Sequence, residues 1–242
     1  MTVKTRSKSK SRRRMAINDD LMTKIEPLTP NQEKLFKAWD KGKHLFVYGC
    51  AGTGKTFCAL YKALQDCLKA TPNYDHVYLV RSLVATREIG FLPGDAEDKA
   101  SLYQIPYKNM VKYMFERPND NEFNVLYEGL KAQGTIKFWS TSFLRGVTLD
   151  NSVIIIDEMQ NLNFHELDSI ITRVGENSRI IFCGDAMQSD LTRTNEKNGI
   201  HDFMRILEIM PDDFEIIEMG LDDICRSGLV RNYIIAKAAS GQ

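Results

Sequence analysis

The sequence predicts an α/β fold, a mostly parallel sheet with helices on both faces. Three observations predict it: apolar strands alternate with amphipathic helices, a glycine-rich loop joins an early strand to a helix, and a later β-branched strand ends in two carboxylates. Such alternation lays strands parallel to one another and packs the connecting helices against both sides of the sheet. A length of 242 residues with 43% apolar content is sufficient for one such domain.

The first helix is predicted from about residue 30 to 39. Thr29 is a good N-cap, Pro30 suits the first helical position, and an apolar stripe follows. Gln32 lies in the first turn, a position similar to that of glutamines that read adenine through a bidentate amide contact in nucleic-acid translocases. The alternative is an ordinary glutamine on the helix surface.

The glycine-rich loop follows a predicted strand at 44–48 and leads into a predicted helix at 55–70. It fits the P-loop pattern G-x-x-x-x-G-K-[ST] with Gly49, Cys50, Ala51, Gly52, Thr53, Gly54, Lys55 and Thr56. In such a loop backbone N–H groups turn toward a phosphate, the lysine reaches the β/γ-phosphates, and the last hydroxyl can bind Mg²⁺. A glycine-rich turn that binds nothing is the alternative, but the strand–loop–helix context favours a nucleoside triphosphate site.

The alternation continues along the rest of the chain. Short apolar runs predict strands, and apolar residues at helical spacing predict helices. The further strands are predicted at about 76–81, 136–139, 152–156, 179–183 and 214–218, and the further helices at about 98–116, 122–132, 164–174, 198–210 and 221–238.

Two of these strands end in polar side chains that suit phosphoryl transfer. The β-branched run 153–156 leads directly into Asp157 and Glu158. Asp157 is predicted to hold the Mg²⁺ hydration shell and Glu158 to orient and polarise the attacking water. The run 180–183 leads into Gly184 and Asp185, and Gln188 three residues later is predicted to sense the γ-phosphate. The alternative for Asp157 and Glu158 is that they are two surface acids in a turn. The alternative for Gly184 and Asp185 is that they form a simple turn.

Charge and cysteine content indicate the domain organisation and the cellular location. Residues 1–20 are predicted to form a disordered basic head, followed by a single domain over 21–242. Its seven cations are either a nucleic-acid contact or a solvated arm, and they are Lys4, Arg6, Lys8, Lys10, Arg12, Arg13 and Arg14. No apolar stretch is long enough to span a membrane. Five cysteines without a C-x-x-C pair predict reduced thiols and a cytoplasmic location.

Four segments resemble the PhoH-like family of P-loop ATPases, which is related to the superfamily 1 helicase core. Residues 81–84 with 88–95 resemble R-P-x-V…E-x-x-G-F-L-P-G-D, and residues 144–149 resemble R-G-R-T-L. Residues 157–161 resemble D-E-A-Q-N, and residues 184–191 resemble G-D-x-x-Q-x-D-L. Ser82 departs from the usual proline, and Val147 departs from the second arginine, so a role for paired arginines is not carried over.

The resemblance implies a RecA-like P-loop NTPase that hydrolyses ATP with Mg²⁺ and has RNA or single-stranded DNA as its partner. It also implies a homo-oligomer, expected to be a hexameric ring. The short chain looks more like the phage-encoded members than the longer cellular ones, which would place it in the host cytoplasm.

Arginines supply the remaining candidate residues. Superfamily 1 translocases bring arginines to the γ-phosphate from a second RecA-like domain, so we predict that Arg145 or Arg226 acts as the finger, in cis or from a neighbouring subunit. A salt bridge at the edge of the core is the alternative for each. Arg81, Ser82 and Arg87 are predicted to contact nucleic acid, whereas the 90–94 loop fits a subunit interface equally well.

Three functions remain open at this point. The first is a nucleic-acid-stimulated ATPase with possible helicase activity. The second is an ATP-driven oligomeric switch that remodels proteins without nucleic acid. The third, a phosphotransferase acting on a small substrate, is the weakest, because Glu158 and Gln188 suit water activation and sensing better than acceptor recognition.

Overall fold

The computed structural model describes residues 17–82, 96–144, 146–185 and 199–240, and the side chains of 96–102 are outside that description. The described strands form one six-stranded sheet in which every neighbouring pair is parallel. Its order is β3-β2-β4-β5-β1-β6. The strands are β1 (His44–Gly49), β2 (His76–Arg81), β3 (Ile136–Ser140), β4 (Ser152–Asp157), β5 (Arg179–Gly184) and β6 (Phe214–Met219).

Helices cover both faces of the sheet, because side chains in a strand alternate between its two sides. In β1, Leu45 packs in a cluster with Leu60, whereas the next residue, Phe46, packs on the opposite side with Leu167 and Phe203. The predicted α/β class is therefore confirmed. The helices are α1 (Pro30–Asp40), α2 (Lys55–Leu68), α3 (Ala96–Met114), α4 (Asp120–Ala132), α5 (Phe164–Ile171), α6 (Gly199–Glu208) and α7 (Gly228–Ala239).

The start of α1 is the predicted one. Thr29 is extended and its hydroxyl accepts the N–H of Gln32, and Pro30 occupies the first turn. A cap of this kind contributes about 1 kcal/mol. The predicted cap is therefore confirmed, and it fixes Gln32 at the end of α1 that lies beside the P-loop.

The last helix begins later than predicted. Residues Leu221–Asp223 form a short 3₁₀ turn, and α7 starts only at Gly228. Between them the N–H of Cys225 donates to the carbonyl of Gly52 in the P-loop at 3.0 Å. Because this N–H is used by the P-loop, it makes no hydrogen bond within a helix. The predicted continuous helix over 221–238 is therefore wrong.

Two further boundaries differ from the prediction. α5 ends at Ile171 rather than near residue 174, because the carbonyl of Arg173 accepts the N–H of Leu149 in a bridge to the segment before β4. At the other end of the chain, Ile17 packs against the core, and a Cβ at Gly129 would lie 2.9 Å from its Cδ1. Ile17, near the end of the predicted disordered head, therefore packs with the domain.

Within the described ranges, no helix has the length and apolar character that crossing a membrane would require.

Candidate functional site

The candidate site lies where the carboxyl ends of β1, β4 and β5 meet. These three strands are central in the sheet, and ligands of open parallel sheets bind at this edge. The P-loop leaves β1 at Gly49 and enters α2 at Lys55. β4 ends at Asp157, and β5 ends at Gly184. The fold thus brings together the three motifs that the sequence separates.

Glycines allow the P-loop to take its shape. Gly49, Gly52 and Gly54 all have positive φ angles, of 120°, 77° and 81°. Residues with a side chain rarely adopt positive φ angles, so glycine is the residue that fits at these positions. A Cβ at Gly49 would also lie 2.1 Å from the carbonyl oxygen of Met219, which accepts the N–H of Cys50 at 2.8 Å. β6 therefore fixes the first residues of the loop.

Lys55 folds back over this loop. Its Nζ donates to the carbonyl of Gly49 at 2.8 Å and to that of Cys50 at 2.6 Å. Burial lowers the pKa of Lys55 from its ordinary value, and the nearby Asp185 and Asp157 carboxylates act in the opposite direction. The ammonium is held at the mouth of the loop, where an anion would offset the unfavourable desolvation of its charge.

Thr56 and Asp157 meet across the site. The Thr56 hydroxyl donates to Oδ1 of Asp157 at 2.7 Å, and the hydroxyl of Tyr107, from α3, donates to Oδ2 at 2.6 Å. Both oxygens of the carboxylate therefore have a side-chain donor. The predicted pair of magnesium-binding residues is in direct contact.

Glu158 lies beside this pair but is held by other groups. It has a left-handed backbone, with φ of 54°, which is uncommon for a residue with a side chain. Gln160 Nε2 donates to its Oε2 at 2.6 Å, and an Arg81 nitrogen lies 3.9 Å from its Oε1. Gln160 also accepts the N–H of Asp185 through Oε1 at 3.0 Å. Glu158 is thus connected to the ends of β2 and β5.

The residues present fit Mg²⁺ and a triphosphate. A hydroxyl and a carboxylate provide the oxygen ligands that Mg²⁺ prefers, and they belong to Thr56 and Asp157. Positive-φ glycines and the N-terminus of α2 suit phosphate oxygens. Lys55 supplies the cation that would balance their charge.

Gln32 makes contacts inside the chain. Its Oε1 accepts the N–H of Leu28 at 2.8 Å, and its Nε2 donates to the carbonyl of Thr53 at 2.9 Å and to Cys225 Sγ at 3.1 Å. The amide joins α1, the P-loop and the segment before α7. A bidentate contact with adenine would require some of these hydrogen bonds to break.

Arg226 is the predicted arginine that the structure places at the P-loop of its own chain. A Cβ at Gly52 would lie 2.9 Å from Cγ of Arg226. An Arg81 nitrogen lies 3.9 Å from the Glu158 carboxylate, and Ser82 directly follows Arg81, the last residue of β2. Gln188, Arg87 and Arg145 lie outside the described residues, as do residues 83–95.

Three residues at the site are absent from the sequence-based prediction. The Tyr107 hydroxyl donates a hydrogen bond to Asp157, and the Gln160 amide donates one to Glu158. The Asp223 carboxylate accepts hydrogen bonds from the Asn31 side chain at 2.8 Å and from the Gly220 N–H at 2.9 Å. Gln160 lies within the D-E-x-Q-N segment, so its motif could have indicated it. Tyr107 and Asp223 lie in segments whose pattern predicts only a helix.

Comparison with known proteins agrees with the motifs. The family model for the PhoH-like protein matches residues 24–238. A PhoH-like protein of Mycobacterium leprae (strain TN) is 31% identical over 215 residues, which cover 88% of this chain and 58% of that protein. Protein PhoH of Escherichia coli (strain K12) is 30% identical over 214 residues, 86% of this chain and 57% of that protein. The chain thus spans under two thirds of the length of these relatives.

Solved structures resemble the chain more distantly. The large terminase of a thermophilic bacteriophage aligns with a TM-score of 0.48 and 10% identity, over 88% of this chain and 50% of that one. The Hef helicase domain of Pyrococcus furiosus aligns with a TM-score of 0.47 and 16% identity, over 90% and 41%. These likenesses have no bearing on function. The motifs and the family match over residues 24–238 agree, and the chain belongs to the PhoH-like family.

Proposed function

We propose that this protein hydrolyses ATP with Mg²⁺ and couples hydrolysis to binding of RNA or single-stranded DNA. The observation that carries the proposal is the 2.7 Å hydrogen bond between Thr56 and Asp157, at the mouth of a P-loop whose Lys55 is already in place. Two residues a hundred positions apart meet where a magnesium ion and the triphosphate would be held.

The residues divide the chemistry between them. Lys55 would bind the phosphates and neutralise charge that develops on them, and Thr56 and Asp157 would hold Mg²⁺. Bound there, Mg²⁺ would draw charge from the phosphate oxygens. Glu158 would orient the attacking water and accept its proton. A carboxylate has about four acceptor sites, so Glu158 can accept from water while Gln160 donates to Oε2, and departure of Arg81 would leave Oε1 free for that water.

Arg81 supports the coupling to nucleic acid. It stands at the end of β2 next to Asp157 in the sheet register, and it lies 3.9 Å from Glu158. A phosphate backbone that attracted Arg81, together with Ser82 and Arg87, would draw this cation from Glu158. Strand binding would then favour the reactive position of the base. The cations among residues 1–14 would add contacts that do not depend on base sequence.

Oligomerisation is a further part of the proposal. Arg226 lies on the P-loop of its own chain, which favours an action in cis, and Arg145 remains the candidate for an action in trans. We propose a homo-oligomer, in the form of a hexameric ring, in which Arg145 reaches the ATP of the neighbouring subunit.

The test is the ATPase rate with and without RNA or single-stranded DNA, measured from about 50 to 200 mM salt. Phosphate contacts predict stimulation that falls steeply over that range. Lys55→Ala, prepared identically, controls for contaminating ATPases. A wild-type rate no higher than that of Lys55→Ala would refute ATP hydrolysis. The same series on a variant lacking residues 2–14 measures the contribution of the basic head.

A protein-remodelling switch is the second candidate. α7 exposes three apolar side chains, Leu229, Val230 and Tyr233, and a Cβ at Gly52 in the P-loop would lie 3.6 Å from Cδ1 of Ile234 on the same helix. An exposed apolar face of this kind favours a protein contact. ATP hydrolysis that no nucleic acid stimulates, in wild type and in the variant lacking residues 2–14, would support this function over the first.

A further inference from the structure

Asp157 is held from both sides by side-chain hydroxyl groups. Thr56, the last residue of the P-loop motif, donates to Oδ1 at 2.7 Å, but the donor to Oδ2 at 2.6 Å is Tyr107. Tyr107 lies in the middle of α3, outside every motif of the chain. A hydroxyl at this distance from a carboxylate makes a charge-assisted hydrogen bond, the stronger class.

The hydroxyl of Tyr107 cannot easily point elsewhere. The residue is 2% exposed, and its ring packs with that of Phe138 on β3, with centroids 5.7 Å apart. The buried ring and the 2.6 Å contact together hold the phenol as a donor to Asp157.

The same face of α3 also contacts the second acid of the site. Tyr103 lies one helical turn before Tyr107, and the Arg81 guanidinium lies 5.7 Å from the centre of its ring. Arg81 in turn lies 3.9 Å from Glu158. α3 thus contacts Asp157 directly and Glu158 through one intervening side chain.

We propose that Tyr107 is a positioning residue for the magnesium site, holding Oδ2 of Asp157 so that Oδ1 stays directed at Thr56, the other residue that would hold the metal. The proposal rests on the proposed function insofar as that function assigns Mg²⁺ to Thr56 and Asp157. Without the phenol, the carboxylate could rotate, and Oδ2 would keep no donor among the contacts described above. Groups that orient a metal ligand in this way affect metal affinity about 10–100-fold when they are removed.

The experiment compares Tyr107→Phe with Tyr127→Phe. Both substitutions remove one hydroxyl from a buried tyrosine, and each tyrosine is 2% exposed. The hydroxyl of Tyr127 is buried without a hydrogen-bond partner among the described residues, so its removal controls for the change in composition. The probe is Mn²⁺, measured by its electron paramagnetic resonance signal as it binds to the protein with ADP. A fluorescent ADP analogue in EDTA gives the metal-free nucleotide affinity.

Tyr107→Phe is expected to weaken Mn²⁺ binding about 10-fold or more, with metal-free nucleotide affinity unchanged. Tyr127→Phe is expected to match wild type in both. Equal weakening of metal and metal-free nucleotide binding would mean a general structural defect and would overturn the proposal. So would Mn²⁺ affinity within about twofold of wild type.

Two further variants keep the test decisive. Tyr107→Leu removes the same donor together with the ring, and it is expected to weaken Mn²⁺ binding at least as much as Tyr107→Phe, which keeps the ring packing and is therefore expected to fold. In an Asp157→Asn background, Tyr107→Phe should change Mn²⁺ affinity no further, and an undiminished effect there would overturn the proposal. Wild type that binds Mn²⁺ with ADP but does not hydrolyse ATP would refute the proposed function alone. Wild type that binds no Mn²⁺ with ADP would refute both.

Discussion

Replacing Gly49 with alanine tests whether β6 fixes the P-loop. The new Cβ would lie 2.1 Å from the carbonyl oxygen of Met219 and 2.9 Å from its backbone carbon and nitrogen. These are backbone atoms of a paired strand, so no side chain can turn aside. Gly49 also has φ of 120°, where an alanine is strained.

The magnitude follows from three contributions. Backbone strain at such an angle costs about 1–3 kcal/mol, and overpacking costs about 1–3 kcal/mol more. Displacement of β6 would break the hydrogen bond from Cys50 to Met219, worth about 1 kcal/mol. We expect the free energy of unfolding to fall by about 3–7 kcal/mol, a large part of the about 5–15 kcal/mol of an ordinary domain.

Urea denaturation of Gly49→Ala and Gly220→Ala provides the assay. Gly220 follows Met219 directly, has φ of −87°, and would have nothing within 4 Å of an added Cβ. Gly220→Ala is therefore expected to stay within about 1 kcal/mol of wild type. If Gly49→Ala also stayed within that range, the close contact between the P-loop and β6 would be refuted.

Three further predictions concern the site and its surroundings. Glu158→Gln should keep ATP affinity and lower single-turnover hydrolysis by about 100-fold or more; near-normal hydrolysis would exclude Glu158 as the base. Arg145→Ala or Arg226→Ala should keep ATP binding and lower hydrolysis at least about tenfold, and full turnover in both would rule out either as the finger. Burial and nearby Arg179 lower the pKa of His44, whose Nδ1 accepts the Ile180 N–H. The unfolded chain then binds more protons, so stability should fall from about pH 7 to 5, and His44→Asn should reduce that slope; an equal slope would contradict this assignment.

The sequence predicts those parts of the structure that local patterns determine. The P-loop at Gly49, the β4 strand ending at Asp157 and the Thr29 cap are all confirmed, because apolar runs and capping residues act over a few positions. The Tyr107 contact could not be predicted in this way. A tyrosine in an amphipathic helix looks like any core residue, and its partner is set by how α3 lies against β4.

Arg81 illustrates the same limit. Its place at the end of β2 predicted a contact with nucleic acid, which remains a prediction. Its position near Glu158 depends on β2 lying next to β4, and the order of strands in a sheet is not a local property. The late start of α7 has a similar origin, because the amide of Cys225 is taken by Gly52, far away in the chain.

The position of β1 in the sheet has a consequence for how the protein folds during synthesis. β1 pairs with β5 on one side and β6 on the other, and both strands lie far later in the chain. The strand that carries the P-loop therefore has neither of its neighbours until most of the chain has left the ribosome. β2, β3 and β4 can pair earlier among themselves. We therefore expect the nucleotide site to be among the last parts to form, since pairings this distant in sequence are slow to close.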